Sequence, residues 1–238
     1  SGKPLYDPAV LNDGRLRVLY CDSSTTILCG STPLHQSTRS ENVSLVQDSA
    51  TGIADYWLRS WSDPTGRGGR RTALYDKTGT EMMSFEGEQN ATLQNGLLVL
   101  QESRLVDGGY VPESGYGTCQ VIDLATGAAL PVPEGAYSCT LCGDKLVFSC
   151  YARPEGLDDY DWDTDYRQNS WVVVQEKDGT PVYRADAASA YRLFYDSDTL
   201  SDWVELDVAT GEETTDQILY NTQTGEQYTG FLQVYPGG

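Results

Sequence analysis

Short runs of β-favouring residues alternate with polar, glycine-containing turns along this chain. In the clearest copies, at 74–79, 121–127, 174–179 and 219–225, such a run is followed by a polar residue, one or two spacers and a closing Thr-Gly or Asp-Gly pair. Glycine suits the closing position because a tight hairpin turn needs a positive φ there. The alternation predicts repeated β-hairpins, and no long segment has the apolar spacing of a helix.

The closing glycines recur with a period of 46 to 52 residues. They are Gly30, a degenerate first member, followed by Gly79, Gly127, Gly179 and Gly225. A second series of turns lies upstream of them, at 12–14, 48–52, 94–96 and 142–144. Two hairpins per period imply four strands per repeat, and repeats of roughly 40 to 50 residues with four strands are typical of β-propeller blades.

The repeats predict an all-β fold, a β-propeller of about five four-stranded blades in a single domain over residues 1–238. We expect the repeats near 1–40, 41–87, 88–135, 136–187 and 188–238. The last repeat fits least well, because a further turn-like sequence at 206–211 precedes Gly225 by only 14 residues. The alternative is a β-sandwich, in which two sheets would pack face to face.

The turn copies at 73–79 and 120–127 resemble the repeat of quinoprotein-like bacterial propellers. Repeats of that family usually have a docking Trp four residues after the glycine, where this chain has Met83, Pro131, Tyr183 and Thr229. Members that bind the quinone cofactor typically carry adjacent cysteines, and this sequence has no Cys-Cys pair. The resemblance therefore implies the architecture without the cofactor, and it favours a non-enzymatic scaffold.

The charge balance excludes one class of partner, and the start of the sequence favours a location. With 16 Lys and Arg against 35 Asp and Glu, the net charge of −19 would repel a nucleic-acid backbone. No apolar run approaches the roughly 20 residues that span a bilayer, so we expect no transmembrane segment. The start at 1–4 would suit a chain that follows a removed leader or a lipid-anchored cysteine, and we expect an extracytoplasmic, secreted or surface-anchored bacterial protein.

Six cysteines occur, and their spacing does not resemble a zinc ribbon. Cys21 and Cys29 can face each other across a short hairpin, which predicts a disulfide; the alternative is two buried thiols. If 143–144 is a two-residue turn, alternation places Cys139 and Cys150 on one face of a hairpin and Cys142 on the other. A redox pair of Cys139 with Cys142 is therefore not expected.

Long connections mark the face that we expect to bind a ligand. Antiparallel strands place the two turn series on one face and the connections near 62–70, 104–117 and 152–169 on the other, where a rigid scaffold usually holds its binding residues. The candidate ligand-binding residues in these loops are Arg67, Arg70, Tyr110, Tyr116, Tyr160, Trp162 and Tyr166.

The third loop contains five aspartates and three aromatic residues at 158–166. Its alternating aspartates resemble a calcium-binding loop, and the candidate ligands are Asp159, Asp161, Asp163 and Asp165. The glycine and glutamate of the helix-loop-helix calcium motif are missing. A solvated acidic loop, or a surface that recognises a basic partner or a glycan, therefore remains an alternative, and calcium is the one cofactor considered.

The sequence contains a single histidine, His35, which excludes a multi-histidine metal site. We expect this histidine to be exposed or hydrogen-bonded for structure, because no G-x-S-x-G elbow accompanies it. We assign no catalytic residue. The predicted function is a non-enzymatic binding or scaffold domain that recognises a protein or a glycan at the cell surface. The alternatives are a glycan-binding module and a glycoside hydrolase or lyase with a carboxylate pair.

Overall fold

The computed structural model describes ten stretches of the chain, and nearly all regular structure in them is β-strand. The described residues are 14–21, 24–38, 40–48, 51–62, 70–87, 89–102, 118–152, 168–193, 202–211 and 214–230. Their strands are β1 (Leu16–Cys21), β2 (Ser24–Cys29), β3 (Thr32–Gln36), β4 (Glu41–Gln47), β5 (Ala54–Ser62), β6 (Arg70–Asp76), β7 (Glu81–Glu86), β8 (Gln89–Gln94), β9 (Leu97–Glu102), β10 (Cys119–Asp123), β11 (Ala128–Ala129), β12 (Ala136–Cys142), β13 (Lys145–Tyr151), β14 (Ser170–Gln175), β15 (Pro181–Asp186), β16 (Ala188–Leu193), β17 (Trp203–Ala209), β18 (Thr215–Asn221) and β19 (Gln227–Thr229). Within these stretches, no helix has the length and apolar character needed to pass through a bilayer.

The strands form five antiparallel sheets, each in sequence order. The first sheet has three described strands, β1 to β3, and the other four sheets have four strands each: β4 to β7, β8 to β11, β12 to β15 and β16 to β19. A four-stranded meander of this kind is the blade of a propeller. The predicted all-β fold with about five propeller blades is confirmed.

Among the described residues, the glycines of both predicted turn series lie in the turns between paired strands, except for Gly14, which precedes β1. In the described residues their φ angles lie between +57° and +92°, where a side chain would be strained. A polar residue at the start of the turn satisfies its backbone: Asp76 Oδ1 accepts hydrogen bonds from the amides of Thr78 at 2.8 Å and Thr80 at 2.9 Å. This local chemistry explains why the same short pattern recurs along the sequence.

The chain divides into two compact units, residues 1–95 and 96–238, so the predicted single domain stays a prediction. Within each unit the connections fall at two ends of the strands. The end with the tight glycine turns, such as 48–53 and 77–80 in the first unit and 143–144 and 177–180 in the second, is called the turn end. The end at which β5, β9 and β13 finish is called the loop end.

The residue four positions after a closing glycine packs against the next sheet. In the first unit, Leu34 lies 3.8 Å from where a Cβ of Gly79 would stand. In the second unit, Pro131 lies 2.8 Å from the corresponding point at Gly179, and its carbonyl accepts a hydrogen bond of 2.7 Å from Gln175. Smaller side chains therefore occupy the place of the docking Trp that the resemblance implied.

The fourth and fifth sheets are joined in a similar way. Tyr183, also four positions after its glycine, stacks on Tyr220 with ring centroids 4.0 Å apart. At the turn end, the buried Thr222 hydroxyl lies between two carbonyl oxygens that can accept its proton, that of Asp202 at 3.0 Å and that of Cys142 in the preceding sheet at 3.2 Å. Aromatic stacking and a buried hydrogen bond thus fix one blade on the next.

Four cysteines lie buried in the second unit as free thiols. Cys119, Cys139 and Cys150 share one apolar core, whereas Cys142 lies in the other. Burial raises the pKa of Cys119, Cys142 and Cys150 to about 12, so these thiols stay protonated and unreactive. The prediction that Cys139 and Cys150 lie on one face of the hairpin and Cys142 on the other is confirmed. The reason is the turn at 143–144, because it pairs Cys142 with Lys145 and so sets the alternation of the side chains.

The predicted disulfide between Cys21 and Cys29 does not fit the first hairpin. The register pairs Cys21 with Ser24 and Cys29 with Leu16, so the two cysteines lie at opposite ends of the strand pair. Cys29 is a free thiol, and its Sγ donates to the carbonyl oxygen of Gly14 at 3.3 Å. A disulfide across this hairpin would require the two cysteines to lie opposite each other in the register.

Candidate functional site

Arginine, tryptophan and glutamate side chains meet at the loop end of the second sheet. Side chains alternate along β5, so Trp57, Arg59 and Trp61 share one face. The register places Glu41 of β4 and Arg71 of β6 on either side of Trp61. An acidic, an aromatic and a basic residue therefore lie side by side across three strands.

Glu41 organises this cluster as a hydrogen-bond acceptor. Its carboxylate accepts from the guanidinium of Arg59 and, at 3.0 Å, from Nε2 of His35, while the Thr38 amide donates at 3.3 Å. Burial by itself raises the pKa of Glu41, but the hydrogen bonds from Arg59 and His35 outweigh it and lower the pKa below its ordinary value. The carboxylate is therefore ionised at neutral pH and anchors Arg59.

Arg59 lies over an aromatic ring at the same place. Its Cζ atom is 4.7 Å from the ring centroid of Trp61, which is within the range of a cation–π interaction. The guanidinium thus makes contact with both Glu41 and Trp61. Because both contacts restrict its rotamers, Arg59 is presented in a defined orientation.

Deeper along the same face, an aromatic stack supports the cluster. Trp57 is stacked between His35, with centroids 5.6 Å apart, and Tyr75, with centroids 4.3 Å apart. The indole of Trp57 donates to the carbonyl oxygen of Asp76 at 3.1 Å, and the Tyr75 hydroxyl donates to Glu81 at 3.0 Å. His35 is thus a hydrogen-bonded structural residue, as the sequence predicted.

An exposed tyrosine extends the cluster on the neighbouring sheet. Leu16, Val18 and Tyr20 alternate onto one face of β1, and the first two pack in the core that includes Trp57. Tyr20 lies beyond them at the loop end and is 75% exposed, the highest value among the large apolar side chains described. Its ring is therefore available for contact with a partner.

We name this surface the loop-end patch. Tyr20, Arg59, Trp61 and Arg71 define it on one face of the strands, and Arg70 lies at the same end on the opposite face of β6. Of the ligand-binding residues predicted from the sequence, Arg70 is the one that lies within the described residues. It begins β6, pairs with Ser62, and its carbonyl accepts a hydrogen bond of 2.7 Å from the amide of Gly87. Arg71 is exposed and pairs in register with Glu86.

The other predicted site residues lie outside the described residues. They are Arg67, Tyr110, Tyr116, Tyr160, Trp162 and Tyr166, together with the candidate calcium ligands Asp159, Asp161, Asp163 and Asp165. In the part of the chain that the structure describes, no group of three or more His, Cys, Asp or Glu side chains is placed to hold a metal ion. The calcium hypothesis thus stays a prediction.

Known proteins share the fold of this chain at low sequence identity. Neither a protein-family model nor a curated protein matches the sequence. A solved structure of a eukaryotic initiation factor is 10% identical, with a TM-score of 0.53, over 90% of this chain and 50% of that one. The β-propeller domain of the Trilobed protease from Pyrococcus furiosus is 11% identical, with a TM-score of 0.45, over 82% and 58%. TolB from Acinetobacter baumannii is 12% identical, with a TM-score of 0.41, over 90% and 50%.

These likenesses concern architecture alone. The chain spans about half the length of the structures named. At identities this low, side chains at equivalent positions have no reason to share a role. The function has to be argued from the side chains of this chain, and the quinoprotein-like relationship suggested by the repeats stays a prediction.

Sequence reasoning selected Arg70 but missed Glu41, Arg59 and Trp61. Their length makes the loops the expected place for binding residues, whereas these three residues lie within strands. One signal was available, since an aromatic, a basic and an aromatic residue alternate at 57, 59 and 61 in a run of β-favouring residues. The partnership with Glu41 depends on the register of β4 with β5, which the sequence alone does not give.

Proposed function

We propose that this chain is a non-enzymatic, extracytoplasmic binding domain that docks a protein partner at the loop end of its first unit. The loop-end patch is the observation that carries this proposal. Arginine, tryptophan and tyrosine are the residue types that dominate the energetics of protein interfaces. Here they occur together on adjoining strands, and one of them is a largely exposed tyrosine.

The charge of the patch supports a partner with an acidic contact surface. Arg59, Arg70 and Arg71 are three of only 16 basic residues in a chain with 35 acidic ones. Guanidinium groups bind carboxylates through paired hydrogen bonds, and a local positive field within an acidic protein orients an approaching partner. Glu41 neutralises part of this charge but also fixes Arg59 before binding, which lowers the entropy lost on docking.

Three of the described carboxylates have lowered pKa values, which suit ionic contacts with a partner. A glycosidase needs one carboxyl group with a raised pKa to act as the acid. Hydrogen bonds lower the pKa of Glu41, of Asp76 and of Asp144, the last through Lys145 and Gln223. These carboxylates are ionised at neutral pH and suit structural or ionic contacts.

The experiment compares partner capture by matched variants. The chain is displayed on cells of the producing organism, crosslinked briefly, and the captured proteins are quantified by mass spectrometry. We expect Arg71→Glu combined with Tyr20→Ser to reduce capture of the main partner by about tenfold or more, since each change removes a contact typical of hot spots. The control combines Lys77→Glu, at the turn end of the same sheet, with Tyr228→Ser, and should capture as much as the unmodified chain. Equal capture by both double variants would overturn the proposal.

A glycan is the second candidate ligand, and the exposed ring of Tyr20 is the observation that favours it. Sugars stack on flat aromatic rings and depend less on arginine charge. On an array of immobilised glycans, a glycan ligand requires saturable binding that Tyr20→Ser abolishes and Arg71→Glu leaves unchanged. A protein ligand requires the array to stay blank while crosslinked capture depends on Arg71.

A further inference from the structure

A pocket of about 260 Å³ lies at the turn end of the first two sheets, the opposite end from the loop-end patch. It is formed by the beginning of β1, the end of β4 and the turn that joins β4 to β5. Its lining residues are Arg15, Leu16, Arg17, Leu45, Gln47, Thr51, Gly52, Ile53 and Ala54. All of them belong to the first unit.

The turn that forms one wall of the pocket is held by its own hydrogen bonds. Asp48 Oδ1 accepts from the amide of Thr51 at 2.9 Å and from its hydroxyl at 3.1 Å. The Gly52 amide donates to the Asp48 carbonyl oxygen at 2.7 Å, with Gly52 at a φ of +66°. This closed turn leaves Ile53 43% exposed beside the pocket. The wall therefore exists before any ligand binds.

The chemistry of the lining has two parts. Arg15 and Arg17 are its basic residues, and none of the described lining residues is Asp or Glu, although acidic residues outnumber basic ones by 35 to 16 in the chain. Both arginines also take part in other interactions, but a guanidinium has five N–H donors and can serve more than one acceptor. The second part is an apolar surface contributed by Leu16, Leu45 and Ile53.

We infer that this pocket binds a small monocarboxylate with a short aliphatic chain. The arginines suit the carboxylate, and the leucines and Ile53 suit the hydrocarbon. The volume corresponds to roughly eight or nine water molecules and is a little below that of pockets for drug-sized ligands, which favours a ligand of a few carbon atoms. This inference is independent of the protein-docking proposal, because it concerns different residues at the other end of the strands.

Titration of the ¹⁵N-labelled chain followed by NMR tests the inference, with hexanoate as the probe. Hexanol, which has the same hydrocarbon without the charge, and inorganic phosphate, which has charge without hydrocarbon, are the comparison ligands. We expect saturable shifts of the Thr51, Gly52 and Ile53 amides with hexanoate. Hexanol and phosphate should each bind at least about tenfold more weakly than hexanoate.

Two variants locate the binding. Arg15→Gln combined with Arg17→Gln should weaken hexanoate binding by about tenfold or more, and Ile53→Glu should abolish it without removing either arginine. The control combines Lys77→Gln with Arg184→Gln, which removes the same charge elsewhere and should bind hexanoate normally. The inference is overturned if hexanoate gives no saturable shift, if hexanol or phosphate binds equally well, or if both pocket variants bind as the unmodified chain does.

Discussion

At the scale of single residues, Glu41 determines how the loop-end patch is presented. It joins His35 of one sheet to Arg59 of the next, and Arg59 in turn covers Trp61. The side chain of Glu41 is only 10% exposed, so little water competes for its hydrogen bonds. A single carboxylate therefore contributes both to the stability of the first unit and to the geometry of its patch.

Replacement of Glu41 by Gln should destabilise the fold in a pH-dependent way. The pKa of Glu41 is lower in the folded chain than in the unfolded chain. Its ionised carboxylate therefore contributes fully to the free energy of unfolding at a pH above the unfolded pKa. This contribution is lost as the pH falls through the folded pKa. We expect Glu41→Gln to reduce the free energy of unfolding by about 1 to 3 kcal/mol at neutral pH, and by less at a pH below about 4. Urea unfolding at the two pH values measures this.

The control for this experiment is Glu81→Gln. Glu81 is exposed and accepts one hydrogen bond from Tyr75, so its replacement should change stability little at either pH. A loss for Glu41→Gln that is equal at both pH values would contradict the ionic role assigned to this carboxylate.

The residues of the candidate site differ in how far the sequence could predict them. Arg70 was selected because it ends a glycine-rich loop, which is a local feature. Glu41 and Arg59 are 18 positions apart and meet only through strand register. Register also explains why the predicted disulfide between Cys21 and Cys29 was wrong. A shift of the turn by a few positions moves one cysteine to the far end of the hairpin from the other.

At the scale of elements, the turn between the third and fourth strands has two tasks in the second and fourth sheets. It closes its own hairpin, and it receives a side chain from the preceding blade. Gly79 receives Leu34, and Gly179 receives Pro131. Glycine suits both positions because of their positive φ, and at Gly179 the atom of Pro131 at 2.8 Å also leaves no space for a side chain.

A pair of glycines separates these two requirements. Gly179 has a φ of +92° and a neighbour 2.8 Å from where its Cβ would stand, whereas Gly225 has a φ of +74° and nothing within 4 Å. We expect Gly225→Ala to reduce the free energy of unfolding by about 1 to 2 kcal/mol, from backbone strain alone. Gly179→Ala should reduce it by roughly 2 to 5 kcal/mol, because overpacking against Pro131 is added.

Thermal or urea unfolding of both variants measures the difference. If the two substitutions were equally destabilising, the contact between Pro131 and Gly179 would have no energetic role, and blade docking would have to rest on other residues.

The sequence predicted the turns well and the docking poorly, for physical reasons. A turn depends on four or five consecutive residues, and its Asx hydrogen bonds and positive φ are local requirements. Docking depends on how two sheets stack, so the sequence alone does not reveal what Leu34, Pro131 and Tyr183 contact. The resemblance pointed to the place four residues after the glycine, but with a Trp there, and the contacts of the residues that replace it come from the structure.

At the scale of the whole molecule, the acidic balance limits the partners that the chain can attract. A net charge of −19 keeps the protein soluble and repels other polyanions. A chain of this charge attracts cations instead. The aspartates at 159, 161, 163 and 165 offer a cation several oxygen ligands within a short segment of the sequence.

Calorimetric titration with calcium tests that hypothesis. We expect saturable heat from the unmodified chain, lost when Asp161 and Asp163 are both replaced by Asn, because each substitution removes a charged oxygen ligand. Replacement of Asp55 and Asp186, two exposed aspartates in strands, by Asn is the control for charge and should leave the heat unchanged. An absence of heat from the unmodified chain would eliminate a calcium site.

The double task of the tight turns has a consequence for how such a chain can change. A turn that also receives a neighbouring blade cannot gain or lose a residue without moving that neighbour. Connections between strands generally tolerate insertion better than positions that are packed against a neighbouring element. We therefore expect variation in length to be excluded from the turns at Gly79 and Gly179, so that new recognition arises elsewhere on the blades while their stacking is preserved.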